Sequence, residues 1–122
     1  MIDERTMMSW VSAMLGGNYE EERQDLRSAD GKAYDPLGVL LDVIDPDGWY
    51  RETAMCRDTW WWAHDLTQGS GLDTEVLPMD LQAEIVRRWA DDKESWEEVA
   101  SFVSEVLPAR IAHEHQRLER AA

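Results

Sequence analysis

Few residues of this chain stand at spacings that suit catalysis or metal binding. The histidines are His64, His113 and His115. On a helix, His113 and His115 point about 200° apart, whereas a two-ligand helical metal site requires residues four positions apart. His64 and Asp65 are adjacent, and adjacent side chains on a helix do not face each other. The histidines therefore predict no catalytic residue, no metal site and no cofactor, and we expect His113 and His115 at the surface.

Cys56 is the only cysteine, so the chain cannot form an internal disulfide. The neighbouring Arg57 could lower the pKa of the thiol, but a lone cysteine is usually a small buried apolar residue. A chain without disulfides is typical of a reducing compartment. No apolar run approaches the roughly 20 residues of a membrane span, and the N-terminus lacks signal-peptide character. These features predict a cytoplasmic protein that does not bind membranes.

The aspartates between residues 42 and 47 resemble half of a calcium-binding loop. Asp42, Asp45 and Asp47 are followed by Gly48, and calcium prefers oxygen ligands of this kind. However, Pro46 interrupts the pattern, and no glutamate follows the glycine where such a loop requires one. We therefore predict no calcium site and no enzyme. A metal-dependent enzyme built on carboxylates that only the fold brings together remains an open alternative.

The charge balance is strongly acidic. The chain has 26 acidic and 12 basic residues, for a formal net charge of −14. Residues 82–103 have a helix–break–helix pattern, but the second helix carries Glu97, Glu98 and Glu105 and no basic residue. Such a surface repels the phosphates of DNA or RNA, so we predict no direct nucleic-acid binding. The acidic surface could attract a basic protein, imitate DNA or simply keep the protein soluble.

The hydrophobic pattern predicts an α+β fold, mostly helical, in a single domain over residues 1–122. Four or five helices are expected, with a small β-hairpin. The first helix covers residues 3–15 and ends at the glycines that follow. Asp30 and Gly31 predict the turn of a hairpin within residues 19–34. Asp35 is a typical N-cap and Pro36 a typical first residue for a short, buried helix that ends at Ile44.

The second half of the chain is predicted to be helical at its end and is ambiguous at its start. Residues 49–78 could form a helix or an aromatic strand. A helix is expected over residues 79–90, and Ser95 should cap the next one. Pro108 is expected to interrupt that helix, leaving residues 109–122 as a separate, fraying C-terminal helix.

The tryptophans suggest a protein-binding surface. Seven tryptophans accompany a single phenylalanine. Three of them are consecutive, and three adjacent large side chains cannot all point into one core. Exposed tryptophan is enriched at binding hot spots. We therefore predict a partner-binding surface formed by Trp49, Tyr50, Trp60, Trp61 and Trp62. Alternatively, these aromatic side chains are covered by another part of the chain or by a second copy in a homodimer.

Two segments of the chain resemble a group of small uncharacterised phage and prophage proteins. In that group, a helix leads to a Tyr- and Gly-containing hairpin and a Cys-Cys-Leu-Gly-Val-Leu-Cys-Asp segment, and the tail carries a Ser-Phe-x-Glu-Ile-Ala pattern. The similar residues here are 10–11, 18–20, 26–27, 30–31 and 37–42, followed by 91–100. Tyr34, Asp35, Pro36 and Leu41 stand where the group often has glycine-flanked cysteines, so no metal or redox role carries over.

The resemblance implies a phage accessory protein that binds and modulates a host protein without catalysis. The composition is rich in Trp and Arg and has only two lysines, Lys32 and Lys93, which is typical of a GC-rich genome such as that of an actinobacteriophage. An acidic DNA mimic that inhibits a host DNA-binding or defence protein is an alternative within this interpretation. A self-assembling structural protein is an alternative of another class.

Overall fold

The computed structural model describes residues 1–54, 57–62, 67–68, 71–72 and 74–121. Within the strands between residues 49 and 72, the described side chains are those of Trp49, Tyr50, Arg51, Trp60 and Leu72. Cys56, His64 and Asp65, which the sequence analysis considered for chemistry, lie outside the described residues.

The fold is α+β and mostly helical, as predicted. The helices are α1 (Glu4–Leu15), α2 (Pro36–Ile44), α3 (Met79–Val86) and α4 (Trp96–Ala121). The strands form three pairs: β1 (Glu20–Glu21) with β2 (Ala33–Tyr34), β3 (Trp49–Ala54) with β4 (Arg57–Trp62), and β5 (Thr67–Gln68) with β6 (Gly71–Leu72). A 3₁₀ turn (Pro46–Gly48) follows α2, and a π-helical turn (Arg87–Asp91) follows α3.

The first two helices begin at the residues that their sequences predict. The Asp3 carboxylate accepts a hydrogen bond from the backbone N–H of Thr6 at 2.8 Å and caps α1. The Thr6 side chain, first of all, and then this backbone bond lower the pKa of Asp3. The Asp35 carboxylate accepts from the backbone N–H of Gly38 at 2.6 Å and caps α2. Both caps satisfy N–H groups that have no partner within the helix.

The segment before α2 differs from the predicted hairpin. The turn forms, with the Gly31 N–H donating to the Ser28 carbonyl at 2.9 Å. It closes only a single antiparallel bridge, between Arg27 and Tyr34. The strand pair itself is parallel, because β1 comes from before the loop and runs beside β2 in the same direction. The predicted two-stranded hairpin was therefore wrong in its strand pairing, although its turn was correct.

This loop crosses α2 at Gly38, where only a glycine fits. A Cβ atom at Gly38 would lie 1.8 Å from the carbonyl oxygen of Leu26. The same oxygen accepts a hydrogen bond from the backbone N–H of Asp35 at 3.2 Å. The close contact between the two backbones fixes the loop on the N-terminal turn of α2.

The ambiguous segment after α2 contains an antiparallel strand pair. β3 and β4 pair from Trp49 opposite Trp62 to Ala54 opposite Arg57. The described part of residues 49–78 thus favours the strand interpretation. The pairing places Trp60 of the triplet opposite Arg51.

The C-terminal helix is longer than predicted. Ser95 and Glu98 form the predicted capping box, in which the Glu98 N–H donates to the Ser95 hydroxyl at 3.2 Å. Pro108 lies inside α4 and does not end it, so the separate helix predicted for residues 109–122 was wrong. The helix continues because Ile111 packs against the core and Arg110 forms an ion pair with Asp80 of α3 at 2.8 Å. The burial of Ile111 offsets part of the cost of the proline, whereas the exposed Arg110–Asp80 pair contributes little.

The core lies between α1, α2, α3 and α4. Two of its side chains, Trp10 and Trp89, are fully buried. The Trp10 indole N–H donates to the carbonyl of Pro36 at 2.8 Å, so α1 is tied to the start of α2. The remaining core residues are mainly aliphatic, and α2 contributes an unbroken buried run from Pro36 to Leu41.

Candidate functional site

Two of the predicted partner-binding residues belong to a partly buried layer of arginine and aromatic side chains. We call it the arginine–aromatic layer and define it as Tyr19, Arg27, Tyr34, Trp49 and Trp60. The rings of Tyr19 and Tyr34 meet edge to face at 5.0 Å, and those of Tyr34 and Trp49 at 6.0 Å. Such edge contacts stabilise aromatic pairs beyond their burial.

Arg27 lies at the centre of this layer. Its guanidinium carbon is 3.8 Å from the ring centre of Trp60, 5.0 Å from that of Tyr34 and 5.3 Å from that of Trp49. The guanidinium also donates two hydrogen bonds, of 3.1 and 3.2 Å, to the carbonyl of Gly31. The positive charge is therefore held by three aromatic faces and one carbonyl dipole.

Asp42 of α2 anchors the layer to the helix. Its two carboxylate oxygens accept separate hydrogen bonds, from the Tyr19 hydroxyl at 2.6 Å and from the Trp49 indole N–H at 3.1 Å. Burial raises the pKa of Tyr19, and the hydrogen bond to Asp42 raises it further. The Tyr19 hydroxyl thus remains protonated and continues to donate to Asp42 across the physiological pH range.

The predicted binding residues lie in different environments. Trp49 and Trp60 are partly buried and use their indole N–H groups within the protein, Trp60 on the carbonyl of Ala29 at 3.3 Å. Tyr50 is exposed, with 44% of its surface accessible. The side chains of Trp61 and Trp62 lie outside the described residues. A binding role for these five residues remains a prediction.

A second arginine–tryptophan contact joins the loop before α2 to the C-terminal half. The guanidinium carbon of Arg23 is 3.8 Å from the ring centre of Trp89. Arg23 also donates to the carbonyls of Trp89 and Glu94 at 3.3 and 2.7 Å, and to the Glu21 carboxylate at 2.6 Å. The Trp89 ring lies in turn against that of Trp96, with centres 4.4 Å apart. Arg23 is therefore fully engaged within the protein.

The arginines of α3 and its π-helical turn are paired with carboxylates. Arg87 bonds Glu84 and Asp92 at 2.6 and 2.7 Å, and Arg88 bonds Glu84 and Glu94 at 3.0 and 3.2 Å. The hydrogen bonds from Arg87 are the main reason that the pKa of Glu84 is lowered. Exposed pairs of this kind contribute little stability, but they neutralise the cations that form them.

A carboxylate-lined groove of about 460 Å³ runs along α4. We call it the acidic groove. Its lining residues are Arg88, Glu94, Glu97, Glu98, Ser101, Phe102 and Glu105. The Phe102 ring lies under the Arg88 guanidinium, whose carbon is 4.2 Å from the ring centre. Glu97 and Glu105 are exposed and form no ion pair among the residues that the structure describes. These glutamates were predicted on one helix, but the groove was not predicted.

The structure shows no arrangement suited to metal binding within the described ranges. There, no three His, Cys, Asp or Glu side chains come together in a way that could hold a metal ion. His113 and His115 are exposed on α4, as predicted, and His115 lies 3.0 Å from Glu119. No helix of the described chain is both long enough and apolar enough to cross a membrane.

The comparisons with known proteins gave no match. No protein-family model matches the chain, and neither a curated protein nor a solved structure is similar to it. The phage-protein resemblance thus stays a prediction, and function has to be inferred from the geometry of the chain itself.

Proposed function

We propose that this protein is a non-catalytic binding protein that holds a basic surface of a partner protein in the acidic groove on α4. The observation that carries the proposal is the unequal use of charge. Arg23, Arg27, Arg87, Arg88 and Arg110 are held by carboxylates, carbonyls or aromatic rings of the chain itself. Glu97 and Glu105 face solvent without a cationic partner in the described structure.

This imbalance favours a cationic partner for a simple electrostatic reason. The formal net charge is −14, and engaged arginines screen neighbouring carboxylates but leave the excess negative charge on the surface. A surface of one charge speeds the approach of a partner of the opposite charge, and this attraction weakens with added salt. The partly buried Phe102 ring, which lies under the Arg88 guanidinium, adds an apolar contact to the groove.

The resemblance to phage proteins makes a bacterial host protein the partner that we propose, met in the host cytoplasm. A host protein that binds DNA is the specific form of this proposal, since such proteins expose basic surfaces. Glu97, Glu98 and Glu105 lie on one helix and could take the place of phosphates on that surface. Double-stranded DNA would then compete with this protein for its partner.

The test is capture of proteins from bacterial lysate by the wild-type chain and by two variants with equal charge. The groove variant is Glu97→Lys/Glu105→Lys, and the control is Asp47→Lys/Glu119→Lys, whose residues are exposed outside the groove. Each variant changes the formal net charge from −14 to −10. We expect the groove variant to lose the partner and the control to retain it, with capture falling from roughly 0.05 M to roughly 0.5 M salt.

A parallel variant distinguishes the aromatic surface from the groove. Tyr50→Ala removes the exposed aromatic side chain and leaves every glutamate of the groove in place. Loss of capture with Tyr50→Ala but not with the groove variant, together with retention at high salt, would transfer the proposal to the aromatic residues. Equal capture by all four proteins, or no enriched partner, would contradict a binding role for the groove. Sedimentation of the purified chain would then test the homodimer alternative.

A further inference from the structure

A separate cavity of about 360 Å³ lies where the start of α2 meets α3 and the π-helical turn. Leu37, Ile85 and Trp89 form its apolar wall, and each of them is almost completely buried. Val86 lines its exposed edge. Small-molecule sites of proteins have volumes of roughly 300–1,000 Å³ and mostly apolar walls with a few polar groups. By size, this cavity is suited to a small ligand, and polar side chains, among them Arg23 and Gln24, line it together with the apolar ones.

The most deeply buried of the polar side chains that line this cavity is Asp35. The residue is only 9% exposed, and its Oδ1 atom accepts the N–H of Gly38. Within the described chain, no arginine or lysine forms an ion pair with it. Burial raises the pKa of Asp35 to about 7, and the nearby charges of Glu22 and Asp25 add to the shift. A buried carboxylate without a cation is costly, and a cation that enters the cavity would offset that cost.

The other charged residues around the cavity do not supply this cation. Arg23 donates to two carbonyls and to Glu21, as described above. Lys93 and Asp91 are both exposed at the rim, and their charges are opposite. When ionised, Asp35 is therefore a buried negative charge in the cavity wall with which no described arginine or lysine forms an ion pair.

The backbone that closes the cavity is unusual. Trp89, Ala90 and Asp91 reach it from the π-helical turn Arg87–Asp91. π-Helical turns are rare, and they occur frequently at functional sites. This observation is independent of the charge on Asp35 and points to the same place.

We propose that this cavity binds a small organic amine, with the protonated nitrogen against the Asp35 carboxylate and the apolar body against Leu37, Ile85 and Trp89. An alkylammonium ion keeps its proton up to a pH of about 10. Binding therefore requires Asp35 to be ionised, and affinity rises with pH between about 6 and 8. A carboxylate of the same length is repelled by Asp35, and the corresponding alcohol lacks the charge.

The experiment measures binding of n-hexylamine, n-hexanol and hexanoate by calorimetry and by amide chemical shifts at pH 8. We expect the amine to bind at least about tenfold more tightly than hexanoate, because the ammonium group donates a charge-assisted hydrogen bond to Asp35 whereas the carboxylate is repelled. Shifts should centre on Leu37, Ile85 and Trp89. Asp35→Asn should remove the preference for the amine, since asparagine has no charge but is still a good N-cap.

Two control variants separate the cavity from the general acidity of the surface. Asp47→Asn removes an exposed charge outside the cavity, and Glu97→Gln/Glu105→Gln removes two charges from the acidic groove. Both should keep the amine affinity within about threefold of wild type, because exposed charges are largely screened. Equal binding of the amine by wild type and Asp35→Asn, or amine-induced shifts confined to the acidic groove, would overturn the proposal. Partner capture by Asp35→Asn should be unchanged, since the acidic groove is intact.

Discussion

The arginine–aromatic layer and the acidic groove use charge in opposite ways. In the layer, Arg27 is enclosed by three rings and a carbonyl, and Asp42 accepts from both Tyr19 and Trp49. In the groove, Glu97 and Glu105 point to solvent with no ion pair among the described residues. The polar groups of the layer are thus bonded within the protein, where they hold the loop before α2 and strand β3 on the helix. The groove leaves its polar groups available for another molecule.

The difference shows why residue type alone is a poor guide to function in this chain. Tryptophan and arginine are both enriched at binding hot spots, yet Trp49, Trp60 and Arg27 are engaged with each other and with the backbone. Glutamate is depleted in the centre of typical interfaces, yet it supplies the uncommitted charge here. What separates the two regions is whether the fold already provides a partner for each polar atom.

The largest expected effect follows from Gly38, on which the position of the whole layer depends. In Gly38→Ala, the new methyl group would meet the Leu26 carbonyl oxygen at 1.8 Å. Two backbones would have to separate, so we expect the free energy of unfolding to fall by more than about 4 kcal/mol. Urea denaturation measures this change. Gly16→Ala is the control, because Gly16 has a right-handed helical conformation and its closest contact would be 3.2 Å.

The second effect concerns Asp35, which is buried like the layer but lacks a cation. Its pKa is about 7 in the folded protein and about 4 in an unfolded chain. Because the folded state holds the proton more tightly, the contribution of Asp35 to stability is complete below pH 4. It is lost as the pH rises through 7. Asp35→Asn has no such loss.

We therefore expect Asp35→Asn to be more stable than wild type at pH 8, by about 4 kcal/mol, and to lose this advantage near pH 4. Urea denaturation across this pH range measures the difference. Asp47→Asn, at an exposed position, should differ from wild type by a constant amount. A constant difference for Asp35→Asn as well would contradict the raised pKa.

The third effect tests whether Asp42 anchors the layer. Asp42→Ala removes the acceptors of the Tyr19 hydroxyl and the Trp49 indole N–H. We expect a loss of about 2 kcal/mol in the free energy of unfolding, because partly buried donors lose their partners. Asp42→Asn keeps one acceptor oxygen and should lose about half as much. Equal stability of Asp42→Ala and wild type in thermal unfolding would show that the layer does not depend on this residue.

The smallest effect on stability is expected in the groove. Glu97→Gln/Glu105→Gln should change the free energy of unfolding by less than about 0.5 kcal/mol, because neither glutamate is paired in the described structure. A loss above about 1 kcal/mol would show that the groove, like the layer, serves the fold. The contrast between the two regions would then disappear.

Local signals predicted the ends of elements well. Asp35 was recognisable as an N-cap because its short carboxylate reaches the first free N–H groups of a helix, whereas Asp3 was placed inside α1 and proved to be its cap. The cap at Ser95 was predicted in the same way, and it forms a capping box with Glu98, three residues later. Pro108 misled because a local rule ends helices at proline, whereas contacts of Ile111 and Arg110 with distant residues carry α4 past it.

The candidate sites were less predictable. Glu97, Glu98 and Glu105 were predicted on one helix, but the groove they line needs Arg88 and Glu94, which lie before α4. Asp35 was read only as a cap, and nothing in its neighbours along the chain indicated burial beside Trp89. The parallel pairing of β1 with β2 was also hidden, since the Asp30–Gly31 turn favours antiparallel neighbours.

The sequence by itself determined the fold class, the helix starts and the acidic balance of this protein, because periodicity, capping and charge depend on residues a few positions apart. Only the tertiary structure decided which charged groups have partners within the protein. The carbonyl of Leu26 crossing Gly38, the three rings around Arg27 and the burial of Asp35 all join residues from different elements. Whether a polar atom has a partner inside the molecule depends on such contacts between residues far apart in the sequence. These contacts follow no periodic pattern or fixed spacing along the chain.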